Sequence, residues 1–537
     1  MKNKSNKSEP RQPINIVKGE QVEAEYKSQQ IPEYRNNPLI EALPNILSVK
    51  EVSESLAYFP SYSDDQRNLP DEIRIHLLEN AREFFLPQSR HIELHYSISN
   101  MLRRGYINRN PLQWGYWSDF DKKIKLMKDA ADSDFEIRKF ASKSKARGFA
   151  IIGGGGTGKT SGVENDLYLL PQVIIHKQYK NSDFILKQLV WLKIDCPQDG
   201  SIKGMCQEFF QTVDEILETN YFAHYGKKGS TVDEMLLSMA RVAAMHSLGV
   251  FVIDEIQDLS EAKSGGAAHL LNFLVHLENR IGVPNIFIGT PKAVQLFKGE
   301  FRQARRASEQ GDFYWERIPM VSDEDKKKPH QDWEDFIQTL WTYQYTKEVI
   351  PLADDILSDP VALALYHYSQ GIPAIILTLF VLAQKRAILS GVEKLTVNII
   401  KSAEKDRLNL IRQAMDSLRA GNEIEPNSLI DLDPSRFVAM KRAEKALNLK
   451  NINKGEIKDS TCNSENPPPD LENKTSDKDG DNNEDGLSTL GNSGRNGKSN
   501  SKSLNKRINK ASSKTTTTDA QDLIDMTSHV VNASEFL

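Results

Sequence analysis

Cysteine is almost missing from this chain: 537 residues carry three, Cys196, Cys206 and Cys462. Three are too few for a disulfide framework and their positions fit no zinc-ligand spacing, so a reducing cytoplasm is the expected setting. A basic excess is missing too. Lys and Arg number 69 against 74 Asp and Glu, a formal net charge of -5, so there is no global basic signature of nucleic-acid binding and any such contact falls to a local patch. No apolar run approaches the ~20 residues of a membrane span, and the N-terminus is rich in Lys, Asn, Ser and Glu where a signal peptide would be apolar. A soluble intracellular protein is expected. Its length exceeds one ordinary core and points to two or three domains.

Four consecutive glycines stand at one place in the chain. The run Gly148-Phe149-Ala150-Ile151-Ile152 reads as a buried strand, and it breaks into Gly153-Gly154-Gly155-Gly156-Thr157-Gly158-Lys159-Thr160, the P-loop spacing G-x-x-x-x-G-K-[ST]. Glycines let consecutive backbone N–H groups curl around a phosphate where side chains would clash. Lys159 can reach the β- and γ-phosphates and Thr160 can hold Mg²⁺. Ser161 opens the following helix, whose N-terminal end is positive. A glycine-rich turn matching by chance is the alternative, but a strand before and a helix-compatible run after favour a nucleotide cradle from Gly153 to Ser161.

A second motif suits the first. Gly249-Val250-Phe251-Val252-Ile253-Asp254-Glu255 is an apolar run ending in two acids, a Walker B strand expected to lie beside the P-loop strand in a parallel sheet. Asp254 would hold the Mg²⁺ shell and Glu255 would orient the water that attacks the γ-phosphate. Asn285-Ile286-Phe287-Ile288-Gly289-Thr290-Pro291 is another buried strand. Thr290 at its end can sense the γ-phosphate or simply cap the next helix before Pro291; the two are compatible. Arg302, Arg305 and Arg306 precede a last core strand at 313–320, where a finger acting in trans on a neighbour's nucleotide would sit, although surface arginines are the usual explanation.

Around these motifs, residues 1–30 read as a disordered arm and 31–125 as an N-terminal extension docking a partner or DNA. In that extension, Tyr34 to Pro44 suits an extended docking segment. Arg103, Arg104 and Arg109 around Gly105-Tyr106 read more as a solvated charged turn than as a phosphate contact. The ATPase core is expected over 126–322, fed by a Lys-rich amphipathic helix at 119–146, with strands at 173–175 and 189–195 and helices at 202–217 and 232–247. A helical lid should occupy 330–420. Residues 421–537 form a tail, low in complexity over 464–514, that cannot bury enough apolar surface to fold alone, and its hydrophobic end suits partner docking.

The order of P-loop, Walker B, polar strand end, arginine cluster and lid resembles AAA+ ATPases. More narrowly, several runs resemble the TnsC-type AAA+ regulators of Tn7-like transposons. These are Leu192-Lys193-Ile194-Asp195-Cys196, Val252-Ile253-Asp254-Glu255-Ile256-Gln257-Asp258-Leu259-Ser260, Ile288-Gly289-Thr290-Pro291-Lys292-Ala293, and the boxes Tyr34-Arg35-Asn36-Asn37-Pro38 and Gly105-Tyr106-Ile107-Asn108-Arg109-Asn110-Pro111. The resemblance spans roughly residues 33–419. It implies an α/β P-loop core with a lid. It also implies ATP- and Mg²⁺-dependent rings or filaments on duplex DNA, a target-selection protein as input, transposase as the recruited partner, and hydrolysis as the reset. Backbone DNA contacts map onto Lys203 in the loop after the second core strand and onto Lys227, Lys228 and Thr231 before the helix at 232–247. One departure is the lid, where the segment after Gly371 offers no arginine sensor before Arg386. A remodelling ATPase or helicase would call for an aromatic pore loop, and a STAND-type signalling switch for repeats after the lid; neither pattern is present.

Overall fold

The structure is a computed structural model that describes residues 17–113, 116, 147–227, 229–261, 266–298, 311 and 313–420. The chain divides into two compact units, and every described residue belongs to the one formed by Met1–Asp431 with Thr516–Leu537. The helix expected at 119–146, Lys228, Arg302, Arg305, Arg306 and the tail from 421 lie outside the described residues.

Order begins earlier than the sequence suggests. Within the segment expected to be a disordered arm, β1 (Gln21–Glu23) forms a strand. Three residues carry no readable pattern, and the strand exists because a neighbour pairs with it: Gln21 lies opposite Val173, and Gly19 N donates to Gln172 Oε1 at 2.8 Å. The Tyr34–Pro44 stretch is not extended. Asn37 Oδ1 accepts from Leu39 N at 3.1 Å and starts α1 (Pro38–Glu41), and Leu39, Ile40 and Leu43 are fully buried in the chain's own core. After α2 (Val49–Leu56), α3 (Asp71–Leu77) and α4 (Asn80–Glu83) comes α5 (Ser89–Tyr106). Its buried Ile92, Leu94, Ile98, Met101 and Leu102 follow the helical period.

The core then runs β2 (Phe149–Gly153), α6 (Lys159–Leu167), β3 (Val173–Tyr179), β4 (Ser182–Leu189) and β5 (Trp191–Asp195). It continues through α7 (Ile202–Leu217), α8 (Tyr221–Tyr225), α9 (Val232–Met245), β6 (Val250–Asp254), α10 (Gly266–His276), β7 (Asn285–Gly289), α11 (Val294–Lys298) and β8 (Phe313–Trp315). Five strands form a parallel sheet in the order β5-β6-β7-β2-β8. The Walker B strand β6 is therefore not beside the P-loop strand β2; β7 lies between them. All five residues of β7 are buried, as expected of the central strand of a sheet covered on both faces. The remaining strands make a small sheet, β1-β3-β4, in which β3 and β4 form a hairpin turning at Lys180, with φ of 54°.

The lid comprises α12 (Gln331–Thr342), α13 (Pro360–Ser369), α14 (Pro373–Ser390), α15 (Val397–Arg407) and α16 (Asn409–Arg419). Helix α14 is long and apolar enough to cross a membrane by length and composition, and here Ile376, Leu379, Phe380 and Ala383 are packed inside the lid. The extension is built into both neighbours. Leu78, Ala81, Phe84 and Leu86 share a hydrophobic cluster with Trp333, Ile337 and Phe380 of the lid, whereas Leu94, Ile98 and Leu102 of α5 share one with Phe149 and Ile151 of the sheet. Arg74, fully buried, donates to both carboxylate oxygens of Glu393 at 2.8 and 2.7 Å.

The arginine cluster of the extension is structural, neither a solvated turn nor a phosphate contact. Arg104 is exposed, but Arg103 is buried and donates to Pro44 O at 2.6 Å. Arg109 is buried over the Tyr106 ring and donates to Gly105 O at 2.8 Å and Leu248 O at 2.5 Å. The two N-terminal boxes also meet: Asn37 Nδ2 donates to Tyr106 O and Asn110 Nδ2 to Asn36 O, both at 2.8 Å. Removing the Arg109 guanidinium leaves buried carbonyls without donors, so Arg109→Ala should lower stability by about 3 kcal/mol in urea unfolding; a loss within ~0.5 kcal/mol would show a surface role.

Candidate nucleotide site

The carboxyl ends of β2, β6, β7 and β8 converge on one cavity of about 600 Å³, where open α/β sheets take ligands. The P-loop forms its floor. Gly153 is required by contact: a Cβ there would lie 2.1 Å from the carbonyl oxygen of Trp315. Gly158 is required by conformation, with φ of 92° as the N-cap of α6. Lys159 is buried, and its Nζ donates to Gly153 O at 2.9 Å and Gly154 O at 2.8 Å. Burial lowers its pKa below the ordinary lysine value, opposed by Glu255 and Asp254. Thr157 Oγ1 bonds Gly154 O at 2.9 Å.

The acids stand opposite the floor. Thr160 Oγ1 donates to Asp254 Oδ2 at 2.8 Å, so the two residues expected to share a divalent ion are already in register. Asp254 Oδ1 accepts from Glu255 N at 2.8 Å. Glu255 is exposed and left-handed, with φ of 52°, a conformation costing about 1–3 kcal/mol that persists only where its surroundings impose it. Gln257, which the sequence showed only as part of an Asp-Glu-Ile-Gln run, links the Glu255 side chain to the end of β7. Its Nε2 donates to Glu255 Oε2, and its Oε1 accepts from Thr290 N at 3.0 Å. Thr290 does not cap with its side chain; its hydroxyl is buried and has no hydrogen-bond partner.

Two walls come from outside the core. Gly371, with φ of 76°, turns the chain so that Pro373 starts α14 and Ala374 N donates to Gly156 O at 3.2 Å. The lid's contact with the P-loop is thus uncharged, and Arg386 pairs with Asp406 away from it. The cations on this side belong to the extension, which sequence reading did not assign to the site. Arg82 donates to Thr378 Oγ1 at 2.9 Å. Arg90 donates to Glu316 O at 2.7 Å with its guanidinium 4.9 Å over the Trp315 ring, and burial pushes its pKa down to about 10 against the pull of Asp332. His91 is pushed down to about 3, by burial first and by Arg90 second, and is neutral. Phe85, Leu86 and Leu377 supply apolar wall.

The cavity therefore gathers Gly155, Gly156, Thr157, Gly158, Lys159, Thr160, Ser161, Asp254, Glu255 and Thr290, with Gly153 and Gly154 holding Lys159 beneath. The open space at the Gly155 cradle and the unpartnered Thr290 hydroxyl fit a phosphate-bearing ligand such as a nucleotide. Among the described residues no group of three or more His, Cys, Asp or Glu could hold a resident metal. A divalent ion here would be shared between Thr160, Asp254 and the phosphates. Of the expected DNA contacts, Lys203 lies in the first turn of α7 and not in the loop before it; its Nζ donates to Ser230 O at 3.2 Å, which joins the start of α7 to the loop before α9. Lys227 is exposed beside it. Thr231 caps α9, its Oγ1 accepting from Glu234 N at 3.3 Å.

Parallel sheet, P-loop and acid-tipped β6 separated from it by one strand define an AAA+ P-loop fold. A family profile described as an AAA domain matches residues 142–297. Among solved structures, the chain is similar to the Aeropyrum pernix ORC1 protein in complex with DNA, at 15% identity and a TM-score of 0.32 over 51% of this chain and 64% of that one. It is also similar to a Walker-type ATPase of Pyrococcus abyssi (13%, TM-score 0.32, 54% and 76%). A third is the Thermotoga maritima RuvB Holliday junction branch migration motor (12%, TM-score 0.28, 60% and 88%). The chain spans under two thirds of the ORC1 protein's length. No curated protein sequence matches it.

The role expected of Glu255, orienting the attacking water, predicts that Glu255→Gln leaves binding of a non-hydrolysable ATP analogue unchanged and slows phosphate release by about 10²–10⁴-fold. Near-normal turnover in a phosphate-release assay would remove it from that role.

Proposed function

We propose that this protein is an ATP-dependent, DNA-binding regulator of transposition of the TnsC type. ATP-bound copies assemble on duplex DNA, receive a target-selection protein, recruit transposase, and are reset by hydrolysis in the cytoplasm. ATP with Mg²⁺ is the cofactor pair, and Arg305 or Arg306 of a neighbouring copy completes the γ-phosphate shell. The observation that carries DNA binding is the meeting of Lys203 with the Lys227–Thr231 loop. Their bond brings the N-termini of α7 and α9 to one face, and helix N-termini with nearby ammonium groups suit phosphates. Such a platform needs only a few cations per subunit when many subunits line up, which reconciles it with the net charge of -5. The transposition reading itself rests on the resemblance of the five sequence runs.

The test is fluorescence anisotropy of a labelled non-specific duplex, titrated with full-length protein in ADP or in a non-hydrolysable ATP analogue. Cooperative, salt-sensitive binding is expected with the analogue alone, and Lys159→Ala should abolish it. The double variant Lys203→Glu, Lys227→Glu should weaken binding at least ~10-fold and reduce the salt slope by about 2. Equal binding in both nucleotides, or indifference to the charge reversals, contradicts the proposal.

A further inference from the structure

Lys193, on β5, is buried among carboxylates from three different elements. Its Nζ lies 2.9 Å from Asp195 on its own strand, 3.2 Å from Glu164 on α6 and 3.3 Å from Asp254 at the end of β6. Its side chain is 5% exposed, as is that of Asp254. A fourth carboxylate, Glu208 on α7, accepts from Asp195 N at 3.3 Å beside the group. Burial opposes the ammonium's charge, and Asp254, Asp195 and Glu164 outweigh it and raise its pKa above the ordinary lysine value.

The arrangement has a geometry that packing alone does not call for. Glu164 sits one helical turn beyond Thr160 on α6. The elements carrying Thr160 and Asp254 are therefore joined twice: directly, through the Thr160 hydroxyl on Asp254 Oδ2 at 2.8 Å, and one turn away, through Lys193 between Glu164 and that same Oδ2. Removing the ammonium would leave the Asp254 carboxylate held only by the Thr160 hydroxyl and the Glu255 N–H, and would set three carboxylates against one another. Partners in a metal's outer shell orient the groups they hold.

We propose that Lys193 is a positioning residue for the divalent ion: it staples α6 to β6 so that Thr160 and Asp254 present their oxygens at the spacing the metal needs. This deepens the nucleotide-site reading and rests on it. Lys193 acts through Asp254 and touches neither nucleotide nor metal. Outer-shell partners of this kind typically change metal affinity by 10–100-fold.

The test uses the full-length chain and a fluorescent non-hydrolysable ATP analogue. Its affinity is measured in EDTA, and Mg²⁺ is then titrated to find the concentration giving half of the metal-dependent gain. Lys193→Met should keep the EDTA affinity within about twofold and raise the Mg²⁺ half-point about 10-fold or more. Lys193→Arg, which keeps the charge in a different shape, should recover part of the loss. Glu164→Gln cuts one arm of the staple at a partly exposed position with a side chain of the same size, and should raise the half-point about threefold; it decides the matter if Lys193→Met fails to fold. An unchanged half-point in Glu164→Gln and Lys193→Met, or an EDTA affinity that falls in parallel with the Mg²⁺ response, overturns the proposal. Parent protein that binds the analogue without responding to Mg²⁺ overturns the divalent-ion reading beneath it, a result distinct from either.

Discussion

The nucleotide site depends on where one tryptophan lies. Trp315, at the end of the three-residue strand β8, is 1% exposed, and it touches nearly everything that shapes the P-loop. Its indole Nε1 donates to Thr157 O at 2.9 Å, and its carbonyl leaves no room for a Cβ at residue 153. Its ring lies so close to α6 that a Cβ on Gly162 would come within 2.9 Å. On the other side it meets the His91 ring edge-on, with centroids 5.1 Å apart, and stacks under Arg90. The phosphate cradle, the first turns of the following helix and the extension are thus fixed by one rigid aromatic surface. A glycine-rich loop has little conformational preference of its own; here its shape is imposed from below.

The second constraint is the division of cores. The extension gives α5 to the cluster under the sheet and α3 and α4 to the cluster of the lid. It is covalently one piece, so the lid cannot swing independently of it without breaking buried contacts such as Arg74 with Glu393. The cavity lies where the three parts meet, floored by the P-loop, roofed by the first turn of α14 and walled by residues 82–91. Lid and extension share buried contacts beside the cavity, so a ligand that drew the lid onto the P-loop would carry the extension with it.

What could be read in the sequence follows from how local each feature is. The P-loop, the strand ends at Asp254 and Thr290, and α7 were legible because each is a continuous run whose chemistry or period is self-contained; α7 spans residues 202–217 as its apolar spacing predicts. Strand β4 was not legible, since Ser182, Asp183 and Lys187 interrupt its alternation and its partner supplies the register. Strand order is a tertiary property, which is why β7 was not foreseen between β2 and β6. Arg103 and Arg109 were misread because their partners are carbonyls of Pro44 and Leu248, remote in sequence. Gln257 and Lys193 stood in recognised runs, yet nothing local announced that one bridges Glu255 to Thr290 and the other bridges Glu164 to Asp254.

The measurement closest to the central claim is amide hydrogen exchange of the full-length protein with ADP and with a non-hydrolysable ATP analogue. If lid and extension close together on the nucleotide, the analogue should add protection over residues 80–91 and over the first turns of α14 as well as over the P-loop. Added protection confined to residues 153–161, with the extension and α14 exchanging alike in both nucleotides, would contradict the coupling of the three parts.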